Sequence, residues 1–183
     1  VYNFWLLVLY LGLYWQLFSL RDPHTRMQFF YTLTLSWAVN GSFMAMIFSS
    51  GGPCYYLDIT GIDRFEPRME YLRSIGSEDS PLWALVNQER LWNEYKSNAH
   101  GIGAGISAMP SVHVSTALLF MLAGLRSTSK FWRVAGCAFF GFILIGSVHL
   151  GWHYAVDGYV AIVTTLALWF GAGALLRIIE KKA

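Results

Sequence analysis

The chain has 183 residues, of which 55% are hydrophobic and 13% charged, with a mean hydropathy of +0.42. That is room for about one domain, and a soluble domain would carry nearer a quarter of charged residues. A net charge of +2 with no large basic cluster offers nothing to track a nucleic-acid backbone, so no nucleic acid is expected as a partner, and the unlike positions of Cys54 and Cys137 make no disulfide framework.

The apolar residues fall in long blocks, and about 20 apolar residues in a helix cross a bilayer core of about 30 Å. The expectation is an all-α fold: a polytopic transmembrane bundle of about five spans in a single membrane domain over 1–183. Val1-Tyr2-Asn3-Phe4-Trp5 opens with no basic leader and no methionine, so natural residues are expected ahead of Val1, up to a whole helix. The first span is placed at about 4–20 and the second at about 27–48, with Asn40 and Gly41 midway. An outer loop, 49–105, follows. It opens on the turn-forming Ser49-Ser50-Gly51-Gly52-Pro53, carries candidate short helices at about 66–72 and 81–95, and closes on His100-Gly101-Ile102-Gly103-Ala104-Gly105. In the second short helix Leu82, Leu85, Val86 and Trp92 partly share a face. The remaining spans are placed at about 106–125, 131–150 and 154–179. Trp5, Trp15, Trp132, Trp152 and Tyr154 suit membrane boundaries, and Gly12, Gly41, Gly136 and Gly141 suit close helix packing.

Charge orients the bundle. The turns after the first and third spans and the tail carry Arg21, Arg26, Arg126, Lys130, Arg133, Arg177, Lys181 and Lys182 against Asp22 and Glu180, whereas the other side is rich in acids. Positive residues stay cytoplasmic. The long loop is therefore expected on the extracytoplasmic face, whether periplasmic, extracellular or lumenal.

Three ionisable groups lie where spans meet that face. In Ser107-Ala108-Met109-Pro110-Ser111-Val112-His113, Pro110 is expected in the first helical turn, where its missing N–H costs nothing. The N–H groups of Ser111 and Val112 and the Ser111 hydroxyl would then face outward as an anion site. In His149-Leu150-Gly151-Trp152-His153-Tyr154-Ala155-Val156-Asp157, His153 and Asp157 are four apart, one face of a helix. A carboxylate beside a histidine fixes its tautomer and raises its basicity, leaving the other ring nitrogen a better nucleophile. An even number of crossings separates the two stretches, so topology brings His113 to the face of His153. Ionisable groups in membrane segments are costly and usually functional. Other readings stay open. A lone histidine near a helix end is commonly just an interfacial polar residue. His149, His153 and Asp157, spanning an arc of roughly 80° on one continuous helix, also fit a metal site of two imidazoles and a carboxylate.

Pro110-Ser111-Val112-His113 followed by His153-Tyr154-Ala155-Val156-Asp157 resembles the type 2 phosphatidic acid phosphatase superfamily, whose pattern is Pro-Ser-x-His, then Ser-Arg-x5-His-x3-Asp. Gly52-Pro53-Cys54-Tyr55-Tyr56 resembles the Gly-Pro-x-Tyr-Tyr signature of the branch containing inositol phosphorylceramide synthase. The resemblance implies a six-helix core, nucleophilic attack by His153, orientation of His153 by Asp157, protonation of the leaving oxygen by His113, and substrate contacts at Tyr55 and Tyr56. It implies no metal and no other cofactor. Two departures stand out: the superfamily's Lys-x6-Arg-Pro motif is absent, and its second arginine falls at Ser147. A phosphoryl group needs positive charge or donors at its oxygens. The candidates are Arg64 and Arg68, four apart as one clamp, together with Arg73, His149 and Ser147. The expected function is a membrane lipid phosphatase that hydrolyses a phosphate ester or diphosphate through a phosphohistidine. The alternatives are a lipid phosphotransferase passing a head group to a lipid hydroxyl, and a non-enzymatic or metal-binding membrane protein with a degenerate site. The partner implied is a membrane lipid; oligomeric state is not legible.

Overall fold

The computed structural model describes residues 5–18, 22–76, 81–97 and 106–182, and among them every regular element is a helix and none a strand. The outer ends of the first block at Phe4 and Leu20, and the approach His100 to Gly105, lie outside the described residues.

Helix α1 spans Trp5–Phe18 and α2 spans Pro23–Ala38. The start of α2 is set locally: Asp22 adopts φ 47°, its carboxylate accepts the Thr25 N–H at 3.0 Å, and Pro23 takes the first position. The helix then widens into a π-helical turn, Val39–Met44, around its one mid-block amide, Asn40, and ends in α3, Ala45–Ile47. The long loop begins with a tight turn, Pro53–Tyr55, leading into α4, Tyr56–Thr60, which Gly61 terminates at φ 71°. Two further helices follow, α5 at Glu66–Ile75 and α6 at Trp83–Lys96, where short helices were expected. The buried face of α6 differs from the predicted one: Ala84 and Gln88 are buried and Val86 is exposed. Gln88 turns inward because its amide donates to the Leu150 carbonyl at 2.8 Å while its own main-chain carbonyl accepts the Tyr55 hydroxyl at 3.1 Å.

The chain closes with α7, Val112–Leu125, α8, Lys130–His149, and α9, Ala155–Glu180. By length and composition α8 and α9 can cross a membrane; α1 and α7 are apolar but shorter. The third block was expected to be helical from about Ile106. Instead, residues 106–111 form a non-helical lead-in, pinned where the Ala108 N–H donates to the Ser50 carbonyl at 2.8 Å. Pro110 therefore precedes the helix and is not in its first turn.

Helix α7 is the central element, packed against α8, α2, α9 and α1. One apolar cluster lies toward its N-terminal half (Val114, Ala117, Ile143, Ala161) and a second toward its C-terminal half (Phe29, Leu119, Ala123, Trp169). Close approach of α8 depends on Gly136, where a Cβ would sit 3.1 Å from main-chain atoms of Phe120 and Met121. Gly141, expected to serve likewise, faces open space. At the end of the bundle opposite the histidines, His24 Nδ1 lies 2.9 Å from a Glu180 carboxylate oxygen, which ties the start of α2 to the end of α9.

Candidate active site

The site grows out of the turn between α8 and α9. Helix α8 ends at His149, and Gly151 takes φ 75°. The Gly151 N–H donates to Val148 O at 3.1 Å and the Trp152 N–H to Ser147 O at 3.1 Å. That pairing is a Schellman ending, which needs a left-handed residue where glycine stands. The His153 N–H shares the Ser147 carbonyl at 3.1 Å, so the turn sets the His153 backbone directly. The long loop supplies donors to the carbonyls at this end of α8. Arg68 Nη1 reaches Val148 O at 3.2 Å, Gln88 Nε2 reaches Leu150 O, and the Cys54 N–H reaches Gly151 O at 3.0 Å. Cationic and amide donors are favourable at a helix C-terminus.

His153 and Asp157 were expected on one helical face. His153 instead precedes α9, whose N-cap is Tyr154. The His153 ring is 6% exposed, and its Nδ1 lies 2.6 Å from the Ala108 carbonyl oxygen. A carbonyl oxygen only accepts, so Nδ1 carries a proton, and in the neutral ring Nε2 is the nitrogen with the lone pair. Asp157 is 1% exposed; its Oδ2 accepts the Tyr154 N–H at 2.8 Å and stands 3.7 Å from His153 Nδ1. The carboxylate therefore caps α9 and acts on the imidazole through space, while a main-chain carbonyl from before α7 orients the ring. The break at Gly151 also separates His149 from His153 and Asp157, so the continuous-helix metal arrangement does not form. His149 is exposed at the end of α8.

His113 enters from α7. Its ring centroid lies 5.8 Å from that of His153 in an edge-on arrangement, and 4.3 Å from the Trp5 ring of α1. In-line transfer places an attacking nitrogen about 3–3.5 Å from phosphorus and a proton donor about 2.6–3.2 Å from the leaving oxygen. Rings at this separation lie within reach of one tetrahedral anion. The expectation that Ser111 faces outward is corrected. The Ser111 N–H donates to Asp157 O at 3.3 Å and its hydroxyl caps α7 by accepting the Val114 N–H at 3.3 Å, with Ser111 fully buried. Val112 is half-buried in the first turn.

The other predicted contacts fall into place unevenly. Arg64 precedes α5 and lies 5.9 Å over the Phe65 ring, so it and Arg68 do not form a clamp on one helix. Arg73 pairs with Glu66. Ser147 acts through its carbonyl, while its hydroxyl donates to Leu144 O at 2.8 Å. Tyr55 is buried, stacked 5.4 Å from Trp92 with its hydroxyl on Gln88, so it fastens the loop. Tyr56 is half-buried against Phe65 at 5.1 Å, and Phe65 packs on Tyr154 at 5.6 Å. Gly52 seats this segment: a Cβ there would lie 2.1 Å from Trp152 O. Burial pushes the neighbouring Cys54 thiol up to about 12. Trp5 and Ala108 were missed as site residues. Trp5 read as an interfacial anchor, and a carbonyl contact carries no residue-type signal.

Fold and site together describe an all-helical, apolar bundle with two imidazoles from different elements meeting at one end. The profile of the PAP2 superfamily matches residues 1–171, so the chain belongs to the PAP2 superfamily. That superfamily comprises phosphatases and phosphotransferases and is often membrane-associated, which supports a phosphoester chemistry of this kind here. No curated protein and no solved structure matches the chain.

Proposed function

We propose that the protein is an integral membrane enzyme that hydrolyses a phosphate ester or diphosphate of a lipid through a phosphohistidine. The observation that carries the reading is the pair of imidazoles, centroids 5.8 Å apart, with His153 Nδ1 held by a carbonyl; that contact supports Nε2 as the attacking nitrogen. Membrane residence is supported by α8 and α9 and by apolar side chains left bare on the helices, such as Ile145 at 70%, Val163 at 67% and Phe170 at 64% exposed. Bare apolar patches on this scale call for a lipid or protein cover.

In the first step His153 Nε2 bonds to phosphorus as the bond from phosphorus to the lipid oxygen breaks. His113 gives its proton to that oxygen. In the second step water attacks phosphorus, the N–P bond breaks, and His113 takes the water's proton. The Asp157 carboxylate steadies the cationic ring, and Arg68 turns its remaining donors to the phosphoryl oxygens. The site lies on the extracytoplasmic face with the acidic loop.

A second reading, transfer of a phospho-head group to a lipid hydroxyl, is favoured by one feature: the Gly52-Pro53-Cys54-Tyr55-Tyr56 segment, which resembles the inositol phosphorylceramide synthase branch, seats on the turn that carries His153. Purified protein incubated with a panel of lipid phosphates separates the two readings. Inorganic phosphate release supports hydrolysis, and a new phospholipid in the presence of a lipid alcohol supports transfer. His153→Ala should lose both turnover and acid-labile phosphate on the protein while remaining folded. Full activity in that variant sinks the mechanism.

A further inference from the structure

The bundle interior carries a buried polar relay that the chemistry above does not use. Asn40, 0% exposed in the π-helical turn, donates through Nδ2 to Ser115 Oγ on α7 at 2.9 Å and lies 3.4 Å from Thr165 Oγ1 on α9. Ser115 Oγ in turn donates to the Ser111 carbonyl at 3.1 Å, one helical turn closer to the site. Ser111 caps α7 and donates its own N–H to the Asp157 carbonyl. The relay thus ends on the residue two before His113 and on the first turn of the helix that follows His153. The π turn also touches this region directly, since a Cβ on Gly41 would meet Val112 Cγ2 at 3.3 Å. Among the described residues Asn40 Oδ1 has no hydrogen-bond partner although it is buried. A buried unpaired acceptor is costly, and apolar groups of the same shape in place of a buried hydrogen-bonded pair are nearly neutral, so stability alone does not call for this amide. π turns recur where function demands irregular geometry.

We propose that Asn40 is a positioning residue, holding the first turn of α7, and with it His113, at its working distance from His153; this rests on the phosphoryl-transfer reading above. Its action passes through Ser115, so the two side chains form one unit.

The test compares wild type, Asn40→Leu, Ser115→Ala and the double variant on dioleoyl phosphatidate in mixed micelles. It also measures orthovanadate affinity by protection of His153 from diethyl pyrocarbonate, read by peptide mass spectrometry, and melting temperature. Each single variant should lower kcat by about 10- to 100-fold, the scale of a misplacement near 1 Å. KM should stay within about twofold, Asn40→Leu should melt as the wild type does, and the double variant should be no worse in kcat than the poorer single one. Wild-type kcat in Asn40→Leu, losses that multiply in the double variant, or losses that track a lowered melting temperature overturn the proposal. A wild type that releases no phosphate removes the lipid phosphatase reading alone, and vanadate then decides. Binding weakened about tenfold in both single variants upholds the positioning role; unchanged binding overturns it. A wild type that binds no vanadate overturns both.

Discussion

Replacing Asp157 with Asn separates two tasks that share one carboxylate. Oδ2 accepts the Tyr154 N–H at 2.8 Å and stands 3.7 Å from His153 Nδ1. The amide oxygen of Asn still accepts from Tyr154, so the cap, worth about 0.5–2 kcal/mol, survives. The tautomer survives too, because the Ala108 carbonyl holds Nδ1 at 2.6 Å. What disappears is a negative charge beside a ring that turns cationic as Nε2 bonds to phosphorus. Unit charges near 4 Å interact by about 4 kcal/mol at an effective dielectric of about 20. Partial charge development in the transition state brings this to roughly 2–4 kcal/mol, a fall in kcat of about 30- to 1,000-fold. Asp157→Ala should show the same loss plus a lowered melting temperature. Rapid-quench measurement of protein-bound phosphate, beside steady-state phosphate release and thermal melts, reads both effects. Asp157→Asn within about threefold of wild type refutes the electrostatic role. An Asn variant as inactive as His153→Ala refutes the Ala108 contact as the tautomer's keeper.

Arg68→Ala should lower kcat/KM by about tenfold, the weak end for a charged hydrogen bond because the side chain is exposed. The deficit should shrink as salt rises, and steady-state kinetics that do not change would leave Arg68 only a helix-end donor. Gly52→Ala drives a Cβ into the Trp152 carbonyl, a main-chain atom that cannot swing aside. A stability loss of about 1–3 kcal/mol is expected, and an unshifted melting temperature would contradict the close seating of the loop. Cys54, its thiol pushed up to about 12 by burial, stays neutral at pH 8 and should react with maleimide about a hundredfold slower in folded than in denatured protein. Because the folded state favours the neutral thiol, this group's contribution to stability is whole below the ordinary 9.0 and is lost as pH rises toward about 12. Equal alkylation of folded and denatured protein would rule out that burial.

Much of the fold could be read along the chain. Helices α1, α2, α7, α8 and α9 lie within or close to the five apolar blocks, because block length and composition are local properties of consecutive residues. The parity of crossings, together with Pro110-Ser111-Val112-His113 and His153 to Asp157, also pointed to the two histidines as neighbours. Their 5.8 Å separation, however, came only with the packed bundle. Other features could not be read locally. Helical spacing implied that Asp157 holds His153, but the Schellman turn at Gly151 puts His153 outside α9 and hands its ring to the Ala108 carbonyl. Ser111 looked like an outward donor and is consumed in capping α7 and bonding to Asp157. The difference has one physical source. Hydrophobic blocks and helix breakers act through side-chain identity and leave a trace in the sequence. Main-chain carbonyls and N–H groups are the same at nearly every position, so which of them meets a histidine is decided only when distant segments pack.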